Sequence, residues 1–244
     1  MANSAAQYLR LPVLASSGLA VVASGLLYFK QKLVLSNSCA RLVVSYIHKA
    51  HELEVDHVCS ELIYPRNVPT DARTFVPKPR QFGVNNYEEL QIPTPDGESL
   101  HALFLRPSKK GLAGDITVLM FHGNAGNIGH RIPIARVLLD ILGCNVLMLE
   151  YRGYGLSTGV PDEAGLKIDA QTGLDYIRQR AETSNNKVIV YGQSLGGAVA
   201  INLVAENQDK GDIGGLILEN TFLSIRKLIP TYVRYHLRHI THLR

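Results

Sequence analysis

The residues best suited to chemistry lie in the stretch VIVYGQSLGGAVA, at 188–200. Strand-forming residues precede Gly192, Ser194 and Gly196, and an apolar helical pattern follows them. Glycines two positions before and two positions after a serine permit a tight strand-to-helix turn, because they carry no Cβ. Such a turn lifts the serine Oγ off the sheet, and the helix N-terminus directs its N–H groups at charge forming beside it. The spacing therefore predicts Ser194 as a nucleophile.

A second motif, FHGNAGN at 121–127, follows a predicted strand. Acyl-transfer enzymes stabilise a developing oxyanion with at least two donors, which are often backbone N–H groups. We predict that these donors are the N–H of Leu195, directly after the nucleophile, and the N–H of Asn124 in this loop. His122 precedes the loop, so we expect it to support the loop and not to act as the base. A glycine-rich turn without a ligand is the alternative.

The same turn also permits a function of a different class. Gly123, Gly126 and Gly129 recur every three residues after a strand, and Glu150 ends the next predicted strand. This pattern loosely imitates a dinucleotide-binding turn, in which an acid binds the ribose hydroxyls. The spacing is not G-x-G-x-x-G, and the dinucleotide hypothesis leaves Ser194 unexplained. It is kept as a minor alternative, and no cofactor is expected.

Short apolar strands alternate with longer helical patterns from residue 85 onward. The stretch NNYEELQIPTPDGESLHALFLRP predicts two strands joined by a tight turn at Pro95-Asp96-Gly97. Further strands are predicted at 116–121, 145–150, 187–191 and 214–219. Alternation of this kind indicates an α/β fold with a doubly wound, mostly parallel sheet that is covered by helices on both faces.

Four motifs occur in the order FHGNAGN, LEYRGYGLSTG, YGQSLGGAVA and LILENTF. Together they resemble the α/β-hydrolase superfamily over about residues 80–229. The chain is most similar to the membrane-anchored bud-emergence group of fungi and to related abhydrolase-domain proteins of animals. The resemblance implies a serine hydrolase with Ser194 as nucleophile and with Asn124 and Leu195 lining the oxyanion hole. It also implies acyl substrates, such as esters, thioesters or amides.

The acid and the histidine that should accompany Ser194 are not evident. In this fold the acid and then the histidine follow the serine along the chain. The stretch after 214–219 is too short for two more strands with their helices, so we expect a sheet truncated after its sixth strand. A serine without a base is a weak nucleophile, and this form is therefore expected to be inactive or weakly active. Glu219 is a weak candidate for a substitute acid, and a non-catalytic truncated isoform or interaction protein is the main alternative.

The longest uncharged apolar run lies near the N-terminus, between Leu11 and Phe29. A helix over this run spans the hydrocarbon core of a bilayer, about 30 Å, so we predict a single-pass anchor in the endoplasmic reticulum, another endomembrane or the plasma membrane. A cleaved signal peptide is the alternative. The predicted organisation is an anchor at 1–32, a proline-containing linker at 33–80, an incomplete hydrolase domain at 81–230 and a disordered basic tail at 231–244.

Charge and histidine content exclude two other classes of function. The formal net charge is only +4 and no long run of like charges occurs, which argues against nucleic-acid binding. The histidines at 48, 51, 57, 236, 239 and 242 fit solvated surfaces better than a metal site, and no metal is predicted. The expected partners are a small-molecule or lipid acyl substrate and the membrane.

Overall fold

The computed structural model describes residues 63–109 and 111–222. The predicted anchor, the first thirty residues of the predicted linker and the predicted tail lie outside these ranges. Within them, no helix combines the length and the apolar character needed to cross a bilayer. By its internal contacts the chain divides into residues 1–58 and 59–244, and all described residues belong to the second unit.

A six-stranded mixed sheet forms the centre of the described region. Its strands are β1 (Tyr87–Pro93), β2 (Ser99–Leu105), β3 (Ile116–Phe121), β4 (Asn145–Leu149), β5 (Lys187–Gln193) and β6 (Ile213–Glu219). They lie in the order β1-β2-β4-β3-β5-β6. β2 pairs antiparallel with both β1 and β4, whereas the pairings β4–β3, β3–β5 and β5–β6 are parallel. Every strand predicted from the sequence is present. Because β3 and β5 are parallel neighbours, their carboxyl ends meet at one edge of the sheet.

Helices cover both faces of the sheet, as predicted. The helices are α1 (Ile132–Leu142), α2 (Glu163–Gln179) and α3 (Leu195–Asn207), and short 3-10 turns occur at Pro79–Phe82, Ile128–Arg131 and Gln208–Lys210. One apolar core holds buried side chains of α2 and α3, and the other holds those of α1. The side chain of Asp162 accepts a hydrogen bond of 2.6 Å from the N–H of Gly165 and so caps the start of α2.

The chain from residue 63 to residue 80, which the sequence predicts as the end of a linker, packs against the sheet and its helices. Tyr64 is buried in the core shared with α2 and α3, and Val76 is buried in the core shared with α1. Ala72 lies between them in sequence and is fully buried. This segment is therefore integrated into the fold through side chains on both of its halves.

Glu88 on β1 gives the fold a defined sensitivity to acid. Hydrogen bonds from Arg180 and Arg106 lower the pKa of Glu88 from 4.5 to about 2. Because the folded-state pKa is depressed, the pairing stabilises the fold above about pH 4.5 and is lost as the pH falls towards 2. We expect Glu88→Gln to cost about 1 kcal/mol or less at neutral pH, since solvent screens the pair. In thermal unfolding, the difference in Tm between the wild type and Glu88→Gln should narrow as the pH approaches 2. A difference that does not change with pH would contradict this assignment.

Candidate active site

Ser194 occupies the sharp turn between β5 and α3. Its backbone has φ 52° and ψ −113°, which is rare for a residue that carries a Cβ. The N–H of Ser194 donates to the carbonyl of Glu219 over 2.9 Å. The carbonyl of Ser194 accepts from the N–H of Gly197, at 3.0 Å, and from the hydroxyl of Thr221, at 2.7 Å. A strained conformation held by several surrounding bonds is typical of a functional residue.

The glycines around Ser194 are required by close approaches of the backbone. A Cβ at Gly192 would lie 2.3 Å from the carbonyl oxygen of Gly196, and a Cβ at Gly196 would lie 2.4 Å from the carbonyl oxygen of Phe121. A Cβ at Gly197 would lie 2.1 Å from Oγ1 of Thr221. The tight turn predicted from the spacing of Gly192 and Gly196 is therefore present, and it places the start of α3 against the end of β3.

The loop at 122–127 follows β3 and contains Asn124. Both ends of the Asn124 amide are engaged: Oδ1 accepts from the hydroxyl of Tyr154 at 2.7 Å, and Nδ2 donates to the carbonyl of Ile63 at 2.6 Å. Neither the backbone N–H of Asn124 nor that of Leu195 has an acceptor among residues 63–109 and 111–222. The two N–H groups predicted as oxyanion donors therefore lie on neighbouring segments and are not used by hydrogen bonds within the described fold.

His122 and Glu150 form a buried pair beneath this loop. Nδ1 of His122 lies 2.7 Å from the carbonyl oxygen of Gly123, and because a carbonyl only accepts, this nitrogen carries a hydrogen. Nε2 of His122 lies 2.8 Å from Oε1 of Glu150, but the two atoms are not aligned for a hydrogen bond. Oε2 of Glu150 accepts from the N–H of Ile128 at 3.0 Å. His122 thus contacts the loop and is enclosed, as expected of a supporting residue and not of a base.

The glycine-rich turn is occupied by the chain itself. The N–H of Gly126 donates to the carbonyl of Val68 at 2.7 Å, and a Cβ at Gly129 would lie 2.4 Å from Pro77. Glu150 is fully buried and points at the turn from within. An acid that binds ribose hydroxyls would have to be exposed, so this geometry gives no support to the dinucleotide alternative.

Glu219, the weak candidate for a substitute acid, is bound to β5. Its carboxylate accepts from the hydroxyl of Tyr191 and, over 2.9 Å, from Nε2 of Gln193. These two hydrogen bonds, the one from Tyr191 first, lower the pKa of Glu219, so the group is ionised at neutral pH. Both carboxylate oxygens are engaged by neighbours on β5, and this arrangement was not foreseen from the sequence.

The described residues include three histidines, at positions 101, 122 and 130, and none of them contacts Ser194 or Glu219. His101 lies on β2, separated from β5 by two strands, and its Nε2 contacts Glu89 at 2.8 Å. Nδ1 of His130 accepts from the N–H of Asn127 at 3.2 Å. In the same part of the chain, no three His, Cys, Asp or Glu side chains come together as a possible metal site.

Comparison with known proteins identifies the family. A family model described as serine aminopeptidase, S33, matches residues 114–243, more than half of the chain and beyond the limit of 229 expected from the motifs. The chain is 49% identical to the protein bem46 of Schizosaccharomyces pombe over 174 residues, which are 71% of this chain and 57% of that protein. It is 40% identical to the α/β-hydrolase domain-containing protein WAV2 of Arabidopsis thaliana over 167 residues, 68% of this chain and 52% of that one. The chain thus spans little more than half the length of these relatives.

Solved structures give the same fold. An α/β hydrolase from Vibrio vulnificus superposes with a TM-score of 0.62 at 20% identity, covering 78% of this chain and 69% of that one. An esterase from Pyrococcus furiosus superposes with a TM-score of 0.52 at 21% identity, covering 68% of this chain and 64% of that one. The sheet order, the turn at Ser194 and the sequence matches agree, and the chain belongs to the α/β-hydrolase superfamily, in the group that contains bem46 and the abhydrolase-domain proteins.

Proposed function

We propose that this chain carries the nucleophile and the oxyanion hole of a serine hydrolase that acts on acyl bonds. Oγ of Ser194 attacks the acyl carbon, and the N–H groups of Leu195 and Asn124 stabilise the oxyanion that forms. One observation carries the proposal: the strained turn at Ser194 adjoins a loop, and the two candidate amides have no acceptor in the described part of the chain. The hydrogen bonds at both ends of the Asn124 side chain fix this residue in the loop, and its backbone N–H has no acceptor within the described ranges.

Attack by Ser194 requires a base that takes its proton and later returns it to the leaving group. Water then hydrolyses the acyl-enzyme and regenerates the serine. His101, His122 and His130 are each engaged elsewhere, so we propose that the base comes from residues outside 63–109 and 111–222. With the described residues alone, Ser194 would be a weak nucleophile at neutral pH.

The proposed substrates are small-molecule or lipid acyl compounds. One relative that is 42% identical over 115 residues, 45% of this chain and 28% of that protein, is the lysophosphatidylserine lipase ABHD12 of Macaca fascicularis. A relative from Saccharomyces cerevisiae, 40% identical over 174 residues, is named a membrane protein. Together with the apolar run from Leu11 to Phe29, these names support the proposal of a single-pass attachment to a membrane.

A fluorophosphonate probe tests the proposed nucleophile, because it reacts covalently with an activated serine and reports no other role of the residue. We expect the full chain, expressed in membranes, to be labelled at Ser194 and Ser194→Ala to lose the label. Ser184→Ala is the matched control, since Ser184 is exposed and lies in the turn before β5. Folded wild-type protein that labels no more than Ser194→Ala would contradict the proposal and favour a non-catalytic protein.

A further inference from the structure

A segment at 63–77, here called the arm, lies along the loop at 122–127. Four hydrogen bonds join the loop to the arm, and every acceptor is a main-chain carbonyl of the arm. The bonds run from Asn124 Nδ2 to Ile63 at 2.6 Å, from Gly126 N–H to Val68 at 2.7 Å, and from Asn127 Nδ2 to Ala72 at 3.0 Å and to Phe75 at 2.8 Å. The loop that holds one candidate oxyanion donor is therefore fixed to residues that precede the sheet.

Asn127 makes two of these bonds from one side chain. A primary amide has two N–H donors, and both are used here, one on the carbonyl of Ala72 and one on that of Phe75. Asn127 and Ala72 are fully buried, so water has no access to replace the bond between them. Removing the amide would leave buried polar groups without partners, each at a cost of about 1–3 kcal/mol.

The position of the loop matters because an oxyanion donor acts over a narrow range of distance. A donor must lie about 2.7–3.1 Å from the oxyanion, and a displacement of about 1 Å can lower the rate about 100-fold. The loop is anchored at its start by His122 on Glu150 and at its end by Asn127 on the arm. Asn124 lies between these two anchors, so the place of its N–H depends on both.

We propose that Asn127 is a positioning residue of the oxyanion hole and that the arm belongs to the catalytic apparatus. Asn127 does not contact the substrate in this proposal. It fixes the end of the loop to the arm and so directs the N–H of Asn124 towards the acyl oxygen held at Ser194. The inference rests on the proposed function, because it gives a role to the same site.

Asn127→Ala and a matched control separate positioning from stability. We expect Asn127→Ala to lower kcat, or the rate of fluorophosphonate labelling, about 10- to 100-fold while KM changes little, because the donor acts mainly in the transition state. Asn207→Ala is the control: Asn207 is also a buried asparagine with two donated bonds, to Gln171 and Leu203, but it lies at the far end of α3. It should lower Tm comparably and leave the labelling rate unchanged.

Asn127→Asp tests whether the hydrogen bonds or the shape of the side chain matters. Aspartate preserves the volume but replaces the two donors with an acceptor that faces carbonyl oxygens, so the labelling rate should fall as in Asn127→Ala. Folded Asn127→Ala or Asn127→Asp that labels at the wild-type rate would overturn the inference and leave the proposed function intact.

Hydrogen exchange provides a readout that does not depend on activity. In Asn127→Ala the amides at 123–127 should exchange faster than in Asn207→Ala, because the loop has lost two of its four hydrogen bonds to the arm. If the wild type is not labelled, the proposed function fails, and this comparison then decides only whether Asn127 fixes the loop to the arm. Equal exchange in the two variants would overturn it, and faster exchange in Asn127→Ala would support it.

Discussion

Gly196→Ala is expected to destabilise the domain by at least about 3 kcal/mol, at the upper end of the usual cost of overpacking. The added Cβ would lie 2.4 Å from the carbonyl oxygen of Phe121 and 2.7 Å from that of His122. Both are main-chain atoms of β3 and of the loop that follows it, so neither can rotate away. Urea denaturation should show the lower stability as a lower unfolding midpoint. Fluorophosphonate labelling of Ser194 should also fall, because the added Cβ displaces the turn that holds the serine.

Gly214→Ala is the control for this prediction. Gly214 lies on β6, and a Cβ there would meet the nearest atom, Cβ of Lys187, at 3.4 Å, an ordinary contact. Its backbone needs no positive φ, so we expect its unfolding midpoint to stay near that of the wild type. Equal midpoints for Gly196→Ala and Gly214→Ala would show that the turn tolerates a side chain at Gly196, against the geometry described here.

Glu150→Ala is expected to cost about 1–3 kcal/mol for each buried polar group that it leaves without a partner. The variant would leave Nε2 of His122 and the N–H of Ile128 without their present partner, in a place that water does not reach. The free energy of unfolding from urea denaturation measures this loss directly. Because His122 also contacts the carbonyl of Gly123, we expect the loop to become mobile before the domain unfolds.

Glu150→Gln separates the loss of contact from the loss of charge. Glutamine keeps a carbonyl that can accept from Ile128 and an amide that can donate to a neutral His122. We therefore expect this variant to retain most of the stability that Glu150→Ala loses. A Glu150→Ala protein as stable as wild type would mean that the pair contributes nothing to the fold.

Much of the fold was predictable because it depends on local patterns. The apolar run ITVLMF matches β3 residue for residue, and the turn at Pro95-Asp96-Gly97 correctly predicts the hairpin of β1 and β2. The tight turn at Ser194 was predictable for a different reason. The close backbone approaches at this turn leave no room for a Cβ two residues before or two residues after the serine. Only glycine meets that requirement, so the residue types alone indicate the turn.

Other parts of the site depend on contacts that cannot be inferred from the residue types. The carboxylate of Glu219 meets Gln193 because the parallel register of β5 and β6 sets these two residues side by side. The contact of Tyr154 with Asn124 joins positions thirty residues apart, on different turns at the same edge of the sheet. To predict either contact, one must know the strand register or the path of the chain. Composition and periodicity give neither.

Since the hydrogen bonds from the loop end on peptide carbonyls of the arm, the exposed side chains of the arm are free to change while its length is not. The side chains of Val68 and Phe75 are about half exposed. A fluorescent dye could therefore replace either side chain without disturbing the hydrogen bonds that the main-chain carbonyls accept. Deleting one residue between them would shift every later carbonyl away from its donor. Homologues of this chain should therefore vary at the exposed positions of this stretch, such as Val68 and Phe75, and resist insertions and deletions within it.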